Sequence, residues 1–258
     1  MRGNIEKFTP EIETKFQKEE GENEKDSQFK EFLAQQISLP RNEWSEKFRD
    51  YVEEKYKKEK EEISEYSPKE QQELIFKRYL KGLGLSEEDL KNKRILDLGC
   101  GEQGDFIKEC LDKHITQEAY GLDAKIVPEL FEGKYKDHFF EGNFESKFPI
   151  ENFDYIISMG AVEAPSNEID SRDPEKTLHE ALKVLKEQGE IRIYPIRKAP
   201  PENKLKGVEF MRKKWMEILK ELSVKEKVEW ELNPIDIKVA GKNKDVWLEE
   251  VLIIKKKT

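Results

Sequence analysis

The stretch Arg94-Ile95-Leu96-Asp97-Leu98-Gly99-Cys100-Gly101-Glu102-Gln103-Gly104 decides the fold: an apolar strand runs into a glycine-rich turn, and Phe106, Ile107, Cys110 and Leu111 follow at helical spacing. Closely spaced glycines let backbone N–H groups approach a ligand without interference from Cβ atoms. The start of the next helix adds a partial positive charge. A nucleotide-like ligand is the first expectation.

Downstream, strands and helices alternate. Ala119-Tyr120-Gly121-Leu122-Asp123 reads as a second strand, and a helix broken at Pro128 is expected over Ile126, Val127, Leu130 and Phe131. His138 to Asn143 reads as a third strand and Phe153-Asp154-Tyr155-Ile156-Ile157-Ser158 as a fourth. A helix carrying Leu178, Ala181, Leu182 and Leu185 is expected to end at Gly189, with a fifth strand from Glu190 to Ile196. This spacing builds a parallel sheet covered on both faces. After a helix over Val208 to Leu222, strands at Val228 to Leu232 and Val246 to Ile254 have no helix between them. They are expected to pair antiparallel at one edge.

Upstream, the pattern is helical and charged. Ile5, Phe8, Ile12 and Phe16 recur at intervals of three and four, and the run Glu20-Gly21-Glu22-Asn23-Glu24-Lys25-Asp26 reads as a mobile linker, so residues 1–26 are expected to be partly mobile. Phe29, Phe32, Leu33 and Ile37 mark one helix; Trp44, Phe48, Tyr51, Val52 and Tyr56 mark the next. Ser67-Pro68 is an N-cap followed by proline at the first helical position. It opens a helix through Leu74, Ile75, Tyr79 and Leu80 that ends at Gly82 or Gly84. Ser86 and Asp89 form a second capping pair. The chain thus divides into a helical extension over 1–92, packing on the following domain or capping a ligand mouth, and an α/β domain over 93–258.

Charged residues make up 40% of the 258 and hydrophobic ones 36%, with a formal net charge of −9. That acidity disfavours general affinity for nucleic acid or an anionic membrane, because counterion release needs a basic face. Two cysteines, Cys100 and Cys110, and no secretory signal pattern at Met1 give the expectation of a reduced, cytoplasmic protein without a disulfide framework. No run approaches the roughly 18 apolar residues of a membrane helix. The three histidines, His114, His138 and His179, have no metal-ligand spacing, and no metal is expected.

Gly99, Gly101 and Gly104 spell G-x-G-x-x-G, and Asp123 follows the last of them by 19 residues, where a ribose-binding acid belongs in a dinucleotide site. Two features point away from NAD. Asp97, two positions before the first glycine, is placed to face a ligand's ammonium group, and the chain after the proposed antiparallel pair leaves little room for a separate substrate domain.

These motifs, with Leu182-Lys183-Val184-Leu185-Lys186-Glu187-Gln188-Gly189-Glu190, resemble in order and spacing those of the class I S-adenosylmethionine-dependent methyltransferases, from about Lys93 to the C-terminus. The resemblance implies a Rossmann-like, seven-stranded, mostly parallel α/β sheet with an antiparallel last strand. It also implies a cofactor site. Asp97 would partner the amino group of S-adenosylmethionine, and the Gly99-Cys100-Gly101 turn would lie beneath the methionine part and ribose. Asp123 would accept from both ribose hydroxyls. Asn143 would meet the adenine amine, Phe144 would flank the ring, and Ser158 with Met159 would end the fourth strand beside the reacting methyl. The family commonly has a glycine where Gln103 stands; here it comes one place later, as Gly104.

The implied reaction is an in-line displacement that leaves S-adenosylhomocysteine, with the acceptor entering between the N-terminal helices and the loops after strands four and five. There Glu163 is a conceivable base, and Arg197 with Lys198 a conceivable anion clamp. The run after the fourth strand lacks the Asn-Pro-Pro-aromatic pattern of enzymes that methylate exocyclic amines on bases. A small-molecule or protein acceptor is the leading expectation. The alternatives are an RNA methyltransferase using Arg197, Lys198, Lys204, Lys206, Arg212, Lys213 and Lys214, and a non-catalytic interaction module that keeps the fold.

Overall fold

The structure is a computed structural model that describes residues 45–51, 53–54, 66–165, 173–199, 206–235 and 248–257. The helices expected around Ile5 to Phe16 and Phe29 to Ile37 lie outside those residues. Of the next one, residues 46–51 are helical, with Phe48 buried.

Ser67 opens α1 (Pro68–Leu83) as its sequence dictates. Its hydroxyl accepts the Glu70 amide while the Glu70 carboxylate accepts the Ser67 amide, and Gly84 closes the helix in the left-handed region. Of the expected apolar stripe Tyr79 is buried, but Leu74 points to solvent; the buried face is Phe76, Tyr79, Gly82 and Leu83. The Ser86–Asp89 capping box opens α2 (Glu87–Leu90).

Among the described residues seven strands follow: β1 (Ile95–Leu98), β2 (Ala119–Asp123), β3 (Phe139–Glu141), β4 (Phe153–Met159), β5 (Leu185–Lys198), β6 (Val228–Pro234) and β7 (Leu248–Lys256). Their order across the sheet is β3-β2-β1-β4-β5-β7-β6. Strands β1 to β5 pair parallel, and β7 lies antiparallel between β5 and β6. The seven-stranded, mostly parallel sheet and its reversed last strand are therefore as expected.

The helices α3 (Asp105–Asp112), α4 (Pro174–Val184) and α5 (Lys206–Lys225) complete the layers. One face packs against α4 and α5, with Leu178, Leu182, Trp215, Leu219 and Leu222 over Leu96, Ile156, Ile191 and Ile193. The other packs against α1 and α3, where Phe76, Tyr79 and Phe106 meet Ile95, Ile157 and Tyr194. Phe106 stacks on Tyr79 at 4.6 Å and on Phe76 at 5.4 Å, so α1 and α3 share one aromatic seam. Arg192 of β5 donates to the Leu83 and Gly84 carbonyls at 2.9 Å, fastening the end of α1 to the sheet.

Three boundaries differ from the sequence reading. Pro128 does not break a helix; it is the first residue of a 3-10 turn, Pro128–Phe131, where its missing N–H costs nothing. The third strand is shorter than expected. Helix α4 ends at Val184 rather than Gly189, and Leu185 is already strand, paired with Phe153 across an irregularity before Glu190 pairs with Tyr155. A Cβ on Gly189 would come within 2.8 Å of the Phe153 carbonyl oxygen and the Leu185 side chain, so this glycine serves close strand approach rather than a helix stop.

Candidate functional site at the switch point

From β1 the chain moves outward to β2 and β3, then returns to β4 on the other side of β1. Ligands of open α/β sheets bind at this reversal, beyond the carboxyl ends of the strands. The Gly99 to Gly104 turn stands there.

The three glycines serve different ends. Gly99 has φ +82°, and a Cβ on it would stand 2.0 Å from the Ala161 Cβ, so the loop after β4 rests directly on it. Gly101 has φ +74°, and none of the described residues lies within 4 Å of where its Cβ would be. Its outer face is open to a ligand. Gly104 caps α3 in the left-handed region, and a Cβ there would strike Phe139 at 2.1 Å. Its displacement by one place is thus explained by packing against β3, while Gln103 sits exposed in the turn.

Asp97 is fully buried at the end of β1, and among the described residues neither carboxylate oxygen has a hydrogen-bond partner. A buried acid left in that condition favours its neutral form. Burial pushes its pKa up to about 8; the nearby Tyr79 hydroxyl draws it partway back, and the Asp123 charge adds to the rise. Tyr79 influences the carboxyl without meeting it in hydrogen-bond geometry. The sequence reading placed Tyr79 only on an apolar face. Its ring position follows from the packing of α1 against α3, where it stacks on Phe106.

Asp123, half-buried at the end of β2, accepts the Gly101 amide at 3.0 Å on one oxygen and the Lys125 amide at 3.2 Å on the other. Each oxygen keeps a lone pair for a further donor. Asn143 is exposed after β3, its side-chain oxygen accepting the Glu145 amide at 2.9 Å. Phe144 is half-buried, its ring tip 3.5 Å from a Cβ on Gly99, so the segment after β3 reaches the glycine turn.

Two expected positions face away from open space. The Cys100 thiol is buried beneath the turn, 2.7 Å from where a Gly121 Cβ would be, and burial pushes its pKa up. Only its main chain is left to face a ligand. Ser158 is buried, donating to the Leu98 carbonyl at 2.8 Å and accepting the Val162 amide at 3.1 Å. Its hydroxyl braces β1 to the loop after β4.

Further along, Tyr194 pairs in register with Met159, and its hydroxyl donates to the buried Glu249 carboxylate. Glu163 and Arg197, assigned separate roles from sequence, are 3.3 Å apart as an ion pair across the ends of β4 and β5.

An open sheet in this order, with β7 reversed and a glycine turn at its switch point, is a methyltransferase-like α/β fold. A family model described as a methyltransferase domain matches residues 89–244, and the chain belongs to that family, among the Rossmann-like S-adenosylmethionine-dependent methyltransferases. No curated protein matches the chain in sequence. Among solved structures it is similar to the plantazolicin methyltransferase BpumL in complex with S-adenosylhomocysteine, at 14% identity over 90% of this chain and 97% of that one, with a TM-score of 0.43. A TehB-like methyltransferase from Corynebacterium glutamicum matches at 19% identity over 72% of this chain and 98% of that one, TM-score 0.38. LepI in complex with S-adenosylmethionine matches at 11% over 70% of this chain, TM-score 0.42, and this chain spans 46% of LepI.

The residues present fit the cofactor. Among the described residues Asp97 offers a buried acid without a hydrogen-bond partner to an ammonium, Asp123 offers two unfilled acceptor sites to a diol, and nothing lies within 4 Å of where a Cβ on Gly101 would be.

Proposed function

We propose that this chain transfers the methyl group of S-adenosylmethionine to a small molecule held at the carboxyl ends of β4 and β5. The observation that carries the reading is Asp97: a fully buried carboxyl without a hydrogen-bond partner among the described residues, four positions before Gly101. A protein without use for that acid would do better with an apolar residue there.

The bound cofactor supplies an electrophilic methyl. The chain's share is alignment and exclusion of water. In this reading Asp97 holds the amino end, Asp123 the ribose, the Gly99-Cys100-Gly101 main chain runs beneath the ligand, and Asn143 and Phe144 close on the adenine. Alignment alone is worth ~7–11 kcal/mol of a barrier, so transfer need not depend on one strong base.

Helix α1, the last long helix of the 1–92 extension, packs closely on β4 and β5. A Cβ on Gly82 would come within 2.9 Å of both Met159 and Tyr194, so the C-terminal part of the helix lies directly on these strands beside the last residue of β4. Such close cover suits a small acceptor better than a polymer. The cations suggested for RNA binding support the same choice: Arg197 pairs with Glu163, Arg212 with Glu250, and Lys213 and Lys214 with Glu217.

The test begins with S-adenosylhomocysteine. At 100 times its dissociation constant it should stabilise the protein by ~2.7 kcal/mol in a thermal scan. A shift with NADH and none with S-adenosylhomocysteine overturns the reading. Labelled methyl from S-adenosylmethionine should then pass to low-molecular-weight material of an extract; label entering RNA, with strong salt dependence, would replace the small-molecule acceptor by a nucleic acid.

A further inference from the structure

Among the described residues three acidic side chains are buried: Asp97, Glu109 and Glu249. The first belongs to the cofactor reading. Glu109 accepts the Gln72 amide at 2.7 Å and pairs with Lys113 at 3.1 Å, which joins α3 to α1 and balances its charge with a cation. Glu249, near the start of β7, accepts the Tyr194 hydroxyl. Tyr194 lies on the sheet face that α1 covers, beside Met159, its register partner at the end of β4. The Gly160 amide donates to the Tyr194 carbonyl at 2.7 Å, and the next residue, Ala161, is the one that rests on Gly99. The end of β4 thus leads directly from Tyr194 to the glycine turn. Glu249 stands opposite Arg197 in the ladder of β5 and β7, and Arg197 pairs with Glu163 at 3.3 Å. The cations whose charge reaches Tyr194 are Arg78 of α1 and Arg197.

A phenol whose hydrogen is committed to a carboxylate has only lone pairs left to offer. A group that meets the Tyr194 oxygen must therefore bring a hydrogen of its own. Burial, and then the Glu249 carboxylate, push the phenol's pKa up, so Tyr194 keeps its proton until another replaces it. From this arrangement we infer that the methyl acceptor is a hydroxyl compound whose O–H donates to Tyr194, and that Tyr194 and Glu249 together remove its proton. The inference rests on the small-acceptor reading above and names the chemistry of that acceptor. An amine attacks with a lone pair it already has, whereas a hydroxyl becomes a good nucleophile only as its proton leaves, and a proton-accepting pair serves that need. As the acceptor oxygen bonds to the methyl carbon and the carbon–sulfur bond breaks toward sulfur, the acceptor's proton passes to the Tyr194 oxygen. The proton that Tyr194 held passes to Glu249 and from there to solvent. Tyr194 is in this account the catalytic residue, and Glu249 a positioning residue that acts through it. Glu163, engaged by Arg197, is not needed as the base.

The experiment uses phenol, anisole and thiophenol as probes. Phenol and anisole differ in the hydrogen that Tyr194 would accept; thiophenol is largely ionised in neutral solution and needs no base. Ligand-observed NMR on the protein without cofactor should show wild type preferring phenol to anisole about tenfold, and Tyr194→Phe should remove the preference. With methyl-labelled S-adenosylmethionine, Tyr194→Phe and Glu249→Gln should each lower transfer to phenol about a hundredfold, while transfer to thiophenol stays within about twofold of wild type. A melting shift with S-adenosylhomocysteine equal to that of wild type shows that each variant is folded; if Tyr194→Phe is not, Glu249→Gln and the wild-type preference for phenol still decide. Equal losses with phenol and thiophenol would mean that the pair only braces β5 to β7, and they overturn the inference. So does a wild type that binds phenol no better than anisole, or that passes no label to phenol while S-adenosylhomocysteine shifts its melting. Absence of that melting shift with wild type is a different result: it removes the cofactor reading, and this inference with it.

Discussion

The Asp123 carboxylate accepts the Gly101 amide at 3.0 Å, tying the end of β2 to the glycine turn that follows β1. One side chain thereby shapes the turn and stands at its rim with acceptor capacity left over. Asp123→Ala should weaken S-adenosylhomocysteine binding about tenfold to a hundredfold, the range expected for losing hydrogen bonds to a charged acceptor. The sheet itself does not depend on this contact, so far-UV circular dichroism should be unchanged. Unaltered affinity by calorimetry would remove Asp123 from the site.

The glycines of the turn should separate stability from binding. Gly99→Ala drives a Cβ into Ala161 at 2.0 Å and imposes φ +82° on an alanine, so the loop after β4 must move; urea denaturation should show a substantial loss of stability. Gly101→Ala carries the backbone strain, ~1–2 kcal/mol, without a clash. Its methyl points into the open approach, so affinity for S-adenosylhomocysteine should fall further than stability does. Equal effects of the two substitutions would argue against an approach over Gly101.

The sequence shows best what is governed by local chemistry. The capping boxes at Ser67 and Ser86, the strand into the glycine turn and the reversed β7 all follow from short-range rules, and all appear in the structure. What it conceals depends on partners far along the chain. Glu163 and Arg197 are 34 residues apart and look like two independent charges until β4 and β5 are paired. Gly189 looks like a helix stop because its contact with the Phe153 carbonyl is tertiary. Tyr79 looks like one member of an apolar stripe, since nothing in its own helix shows that its ring stacks on Phe106 of α3. The glycine turn was legible and the acid beside it was too; the state of that acid was not.

Ser158 offers a test of structure apart from ligand. Its hydroxyl joins the Leu98 carbonyl to the Val162 amide inside the protein. Ser158→Ala should leave the buried Val162 amide without that acceptor and lower stability by about 1–3 kcal/mol, measured as a shift of the urea midpoint at constant slope. No change in midpoint would show that the brace contributes nothing.

The last prediction concerns the unliganded protein and the sign of its pH dependence. In the unfolded chain Asp97 titrates near the ordinary aspartate value of 3.8, whereas burial raises it to about 8 in the folded state. Between those values folding takes up a proton, so this residue's contribution to stability is fully present below about pH 4 and lost as pH rises toward 8. Asp97→Asn cannot ionise and lacks that slope. Its melting temperature should therefore exceed that of wild type at pH 8 by several degrees, with the gap closing as pH falls toward 4. Saturating S-adenosylhomocysteine should reverse the order at pH 8, because the ammonium compensates the wild-type carboxylate and has no charge to meet in the variant. Parallel melting curves across the range would mean that Asp97 is ionised in the folded protein without a ligand, and that some unseen cation already balances it.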